Sequence, residues 1–181
     1  ITMSYQSLPL TLSILSFWFS PEVEPLWFAK DNNFDEDLQK RFGKLHQETV
    51  SKISHNGVES ITSAEEALTD VIILDQLSRN MFRGTPQAFA YDGLALQIAK
   101  FAVQKEFDLS LPSKQRNFLY MPFMHSEELT DQEEGIRLFA SIPDNTDTVG
   151  YAEDHRDIIA RFGRFPHRNA ILGRTSTTKE I

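Results

Sequence analysis

The sequence predicts an all-α fold, an irregular α-α superhelix of packed helical hairpins, and three observations predict it. Apolar residues recur at three- and four-residue spacing in one segment after another, while no segment holds a sustained β alternation. Proline, glycine and N-cap residues stop and restart these segments at short intervals, so neighbouring helices are expected to pair as hairpins. No fixed-period repeat is visible, although repeat geometry can outlive repeat sequence. No Pro/Gly/Ser-rich linker divides the chain, and 181 residues with 14 Phe and 2 Trp can fill a core, so residues 1–181 are expected to form one all-helical domain.

The elements follow in order. Leu8, Leu12, Leu15 and Phe19 mark a first helix, stopped by Ser20-Pro21, and Pro25 to Phe28 marks a short turn. Asp35 is placed to N-cap a helix carrying Leu38, Phe42, Leu45 and Ile53, ending near Gly57. Ser63 to Glu66 has capping-box spacing and opens a helix through Leu68, Val71, Ile72 and Leu74 to Arg79. Thr85-Pro86 starts the next, which runs through Phe89, Ala95, Ile98 and Ala102 to Val103. Pro112-Ser113 starts a shorter helix closed by Pro122, and Thr130 to Glu133 forms another capping box leading to Phe139 and Ile142. A helix with Tyr151, His155, Ile158, Ile159 and Phe162 is closed by Gly163, and Pro166 opens a last turn closed by Gly173. Thr177 and Glu180 have capping-box spacing, as if a further helix starts there.

Composition narrows the classes of function. The formal charge of -8 argues against general nucleic-acid or anionic-membrane binding, which relies on a basic surface. The charge is uneven: residues 151–181 carry six basic and four acidic side chains, so an anion site in an acidic protein is still expected. The absence of cysteine excludes disulfides, thiolate catalysis and Cys-ligated zinc. The apolar stretch from Leu8 to Phe19 is too short for a membrane span, and no basic residue precedes it. It reads as a core helix, and the protein as cytoplasmic.

The chemistry-bearing residues lie in three stretches. Asp75 sits three and four residues from Ile72 and Val71, on the inward face of a helix that is apolar almost all round. A carboxylate there needs a cation or several donors. Arg79, or an arginine of the 161–168 group, is expected to supply the charge. The bland reading is an ion pair locking two helices; the functional one is a carboxylate that orients a ligand-binding arginine. His125 and Glu127, flanking Ser126, read either as a proton-transfer pair or as capping bonds at a helix junction.

Between residues 155 and 174 stand five arginines and two histidines interleaved with large apolar residues, which solvated basic segments rarely carry. His155 falls on an apolar stripe and is expected to point inward. Arg161 and Arg164 flank Gly163, and His167, Arg168 and Asn169 fall in the turn after Pro166, where free backbone N–H groups favour anions. Arginine forks there suit carboxylate or phosphate, or else they bind helix ends and the acids Asp75 and Glu127. No two histidines have metal-binding helix spacing, and no nucleophile elbow, P-loop or dinucleotide fingerprint occurs, so no metal and no cofactor are expected.

Taken together, Leu74-Asp75-Gln76 with Arg79 to Thr85, Tyr120 to Glu127, and Arg161 to Asn169 with Leu172-Gly173-Arg174 resemble the bacterial family labelled domain of unknown function 924. Phe17-Trp18-Phe19, Trp27-Phe28 and Phe34-Asp35 resemble its N-terminal motifs, so the likeness spans nearly the whole chain. The resemblance implies an all-helical fold similar to tetratricopeptide-repeat proteins, and it implies no activity. Ser78 stands where that family often has proline, which lets the helix continue more smoothly.

The expected function is a binding module, an Arg/His-lined cleft for a small anionic ligand or an acidic peptide. Its candidate ligand-binding residues are Asp75, Arg79, Asn80, Arg83, Arg161, Arg164, His167, Arg168 and Asn169. One alternative is a hydrolase or lyase acting on a small anionic substrate, with His125, Glu127 and His155 as catalytic candidates. The other is a structural protein whose polar groups only pin helices. A cleft that leaves His and Arg heads free favours the first two; complete internal pairing favours the third.

Overall fold

The computed structural model describes residues 10–181; Leu8, expected in the first helix, lies outside them. The described residues form helices and turns with no strand. Helix α1 (Leu10–Trp18) is followed by a 3-10 turn at Glu24–Leu26 and by the long α2 (Asn32–Asn56). Helix α3 (Ala64–Val71) passes into a π-helical turn at Ile72–Leu77 and then into α4 (Ser78–Met81). Helices α5 (Gln87–Ala90) and α6 (Asp92–Gln104) come next, then α7 (Ser113–His125), α8 (Leu129–Ala140) and α9 (Thr146–Phe162). A 3-10 turn at Pro166–Arg168 leads into α10 (Asn169–Leu172).

Helix α3 and its π turn are the centre of the packing. Leu68, Val71, Ile72, Leu74 and Leu77 are all buried, as expected of a helix apolar on every side. Helices α1, α6 and α7 pack against α3, α2 packs against α4, and α7, α8 and α9 pack in succession. Most of the buried apolar residues form one cluster running from Ile14 to Ala152; Ala88, Ile159 and Phe165 are buried outside it. No helix among the described residues is long and apolar enough to cross a membrane.

Four local expectations are corrected. Asp31, not Asp35, caps α2, accepting from the Phe34 amide at 3.0 Å, which releases Asp35 for Asn80 on α4 and Arg83 just beyond it. The segment after Pro86 is broken at Tyr91, so Asp92 begins a separate helix instead of sitting inside one. Pro122 does not end α7: buried packing carries the helix through the lost amide donor for one more turn, and that turn holds His125. Thr130 caps nothing; α8 begins at Leu129, and Ser126 instead accepts from the Glu128 amide and donates to Asp131.

Ser78 is fully buried, and its hydroxyl lies 2.7 Å from His46 Nε2 on α2 and 3.4 Å from the Ile73 carbonyl five residues back. A proline there would offer neither contact. The widened π turn between Ile72 and Leu77 is the irregularity that lies beside these contacts, and such turns occur often at functional positions.

Two stability predictions follow from this packing. Gly135 is where α8 meets α7, and a β-carbon there would lie 2.9 Å from Phe123 Cβ. Gly135→Ala is expected to lower unfolding stability by about 1–3 kcal/mol in urea titration, from overpacking between the two helices. A neutral result would mean that α7 and α8 separate freely.

The second concerns acid. Burial lowers the proton affinity of His46 and also of His155. For a histidine whose folded pKa lies below its unfolded value of about 6.5, the folded state binds fewer protons, so stability is full above that value and falls as pH drops through it. Tm is expected to fall from neutral pH to about pH 5, and less steeply in His46→Gln. Parallel profiles would clear His46 as a cause.

Candidate functional site

Asp75 lies in the π turn and is 0 % exposed. Its Oδ1 receives His125 Nδ1 at 2.7 Å and Arg79 at 3.1 Å, and its Oδ2 receives Gln76 Nε2 at 2.8 Å. Burial alone would raise this carboxyl. The charges of His125 and Arg79 and the hydrogen bonds from His125 and Gln76 outweigh burial and hold it below the usual carboxylate range. An ionised carboxylate only accepts, so the proton in the bond to His125 sits on Nδ1. Nε2 of His125 has no hydrogen-bond partner among the described residues.

Arg79 also donates to the Asp75 carbonyl at 2.9 Å and forks onto Asp92 at 2.8 and 3.0 Å. Arg168 approaches the same Asp92 at 3.6 Å and donates to the His125 carbonyl at 3.1 Å. Its guanidinium lies between the rings of Phe89 and Phe165, 4.5 and 4.7 Å from their centroids. Arg168 is only 6 % exposed, and its Nε–H has no partner among the described residues.

His125 lines three cavities. One of about 430 Å³ is bounded by Phe89, Asp92, Ser126, Glu127 and Arg168. One of about 210 Å³ is bounded by Trp27, Gln76, Arg79, Arg83 and Met121. The third, about 520 Å³, is mainly apolar, with Trp27, Phe118, Met121, Met124, Tyr151 and His155 in its wall.

The other expected site residues are distributed around this centre. Glu127 does not pair with His125. It accepts from the Phe165 amide at 2.6 Å and from Arg174 at 2.9 Å; burial would raise its carboxyl, and these two donors bring it below the ordinary value. His155 is half-buried, with Nδ1 2.7 Å from the Tyr151 carbonyl and its ring edge-on to Phe165. Asn80 and Arg83 both donate to Asp35, at 2.8 and 2.7 Å. Arg164 pairs with Glu180 at 2.7 Å, and Asn169 links Arg174, Ser176 and Glu180. Arg161 is exposed over its own neighbour Phe162, and His167 is exposed beside Phe165. The structure thus brings Asp75, Arg79, His125 and Arg168 together, while Arg161 and Arg164 lie outside that group.

Asp35, Gln76, Asp92, Arg174 and Glu180 are the partners that sequence reasoning did not assign. Glu180 left a trace in its spacing from Thr177, whose amide it accepts at 2.8 Å. Asp92 left none, because a fold contact with Arg79 and Arg168 has no local pattern.

Fold and site together define an all-helical protein with a buried carboxylate–imidazole pair at a junction of cavities. The chain belongs to the family described as bacterial protein of unknown function (DUF924), which it matches over residues 14–181. It is also similar to a solved structure, the protein of unknown function ATU0120 from Agrobacterium tumefaciens: 36 % identity, TM-score 0.84, and 94 % of each chain covered. No curated protein matches it.

The central carboxylate carries a stability prediction. Asp75→Ala leaves Arg79 and His125 without their shared partner and is expected to cost about 3–5 kcal/mol in denaturant unfolding. A loss below about 1 kcal/mol would mean that the pair is not buried in solution.

Proposed function

We propose that the chain is an enzyme of the hydrolase or lyase class acting on a small anionic substrate, with His125 as general acid/base. The observation that carries this reading is the 2.7 Å bond from His125 Nδ1 to a fully buried Asp75, on an imidazole that borders three cavities. With Nδ1–H held by the carboxylate, Nε2 presents its lone pair and takes a proton from water or from the substrate. Asp75 stabilises the resulting imidazolium, which returns the proton to the leaving group. Arg168, which lines the adjoining cavity and whose Nε–H has no acceptor among the described residues, supplies the charge that holds the substrate anion.

A binding module for a small anion or acidic peptide is the second reading, favoured by the unpartnered Arg168 Nε. Under both readings we infer one domain, a tetratricopeptide-like arrangement of helix pairs, a cytoplasmic setting, no nucleic-acid or membrane partner, and no metal or cofactor in the chemistry.

The test is turnover. Wild type, His125→Asn and Asp75→Asn are incubated with a panel of small carboxylate and phosphate esters, amides and hydroxy acids, followed by mass spectrometry. Wild type is expected to convert at least one compound beyond one equivalent, and His125→Asn to slow it by about 10²–10⁴-fold. Asp75→Asn is expected to slow it too, through loss of the correct tautomer. Saturable binding without turnover would replace the enzyme by the binding module. Turnover equal in wild type and His125→Asn would remove His125 from the chemistry.

A further inference from the structure

The largest cavity at His125 has a character that the anion alone does not need. Its wall is aromatic and thioether: Trp27 meets Phe118 edge-on at 4.7 Å, Phe28 stacks on Phe118 at 6.2 Å, and Met121 and Met124 complete the floor. Phe28 and Tyr151, two large apolar side chains on this wall, are 74 % and 63 % exposed. Large rings left in water around a concave apolar wall gain by covering an apolar ligand, and methionine adapts to its shape. A volume of about 520 Å³ is in the range that small-molecule sites occupy.

Charge is placed elsewhere. The one cation in that wall, Lys114, is 2.6 Å from Glu24 and already neutralised. The cation on the neighbouring wall is Arg168, which lines the cavity of about 430 Å³ and whose Nε–H has no acceptor among the described residues. His125 belongs to both walls, and Arg168 is bonded to its carbonyl.

From this juxtaposition we infer that the site takes an amphipathic acid: an aromatic or alkyl arm in the Trp27–Phe118–Tyr151 cavity, an acidic end at Arg168, and the reacting bond beside His125 between them. The position of the reacting bond rests on the general acid/base reading; the two-part recognition stands without it. Phe28 and Tyr151 act as specificity residues for the arm, and Arg168 as the residue for the acid.

Binding to the intact protein tests this, read by calorimetry and by intrinsic tryptophan fluorescence with three probes: 3-phenylpropionate, propionate and 3-phenylpropanol. The aryl acid is expected to bind about tenfold or more tightly than propionate, from burial of its ring. It is also expected to outbind the alcohol by about tenfold, from a charge-assisted fork. Phe28→Ala and Tyr151→Ala, exposed positions that leave the fold intact, are expected to weaken the aryl acid about threefold or more without affecting propionate. Arg168→Lys is expected to erase the advantage over the alcohol; because Arg168 is buried, circular dichroism must first show that variant folded.

Equal binding of the three probes, no binding of any, or an aryl preference untouched by Phe28→Ala and Tyr151→Ala overturns the inference. Two-part binding without turnover of any panel compound sinks only the catalytic reading. Turnover of substrates lacking an apolar arm, at equal kcat/KM, sinks only this one.

Discussion

The structure turns on one constraint: the carboxylate of Asp75 is entirely removed from water. A charge in that position persists only where its lone pairs are filled and an opposite charge is close. Three side chains meet that demand, and the arrangement around them closes on itself. Asp75 binds the ring of His125; the His125 carbonyl binds Arg168; Arg168 faces Asp92; Asp92 binds Arg79; Arg79 returns to Asp75. His125 is therefore held twice, by its ring and by its backbone. The circuit ties the π turn and α4 to the last turn of α7, the start of α6 and the turn before α10.

This closure explains which parts of the site were legible in sequence. The Asp75–Arg79 pair was, because both lie on one helical stretch at four-residue spacing and the apolar residues before Asp75 point it inward. The partner of His125 was not. Glu127 is two residues away and Asp75 fifty, and local spacing favours the neighbour; but α7 continues through Pro122, and its last turn faces the π turn instead. The fold class was legible throughout, since helical periodicity is a local property. Helix ends were less so. Asp31 and Asp35 are equally good caps by type, and only the tertiary contact of Asp35 with Asn80 and Arg83 separates them.

Charge counting from sequence overstated the cationic surplus. Asp75 and Glu127 alone cannot balance the arginines of the motif stretches. The fold adds Asp35 for Arg83, Asp92 for Arg79 and Glu180 for Arg164, so most of those heads are occupied by protein acids. Two remain, Arg161, exposed over the ring of Phe162, and Arg168. Arg168 shares Asp92 with Arg79 at the longer distance, and two aromatic faces cover its guanidinium, whose Nε–H has no acceptor among the described residues.

Buried ion pairs are a poor device for pinning helices, because well-packed apolar residues of similar volume often stabilise as well or better. A network kept only for that purpose would also satisfy all its members, since a half-satisfied buried group carries the full cost of its desolvation. Two atoms without a partner among the described residues, Nε2 of His125 and the buried Nε of Arg168, lie on residues that border the same cavity; the other buried ones, Trp18 Nε1 and Gln132 Oε1, lie on residues that do not line it. Of the two on that cavity, one is a proton acceptor and the other a cationic donor. Their neighbours are fully engaged in orienting them. A proton acceptor and a cationic donor on one cavity wall are what the proposed ligand site would use.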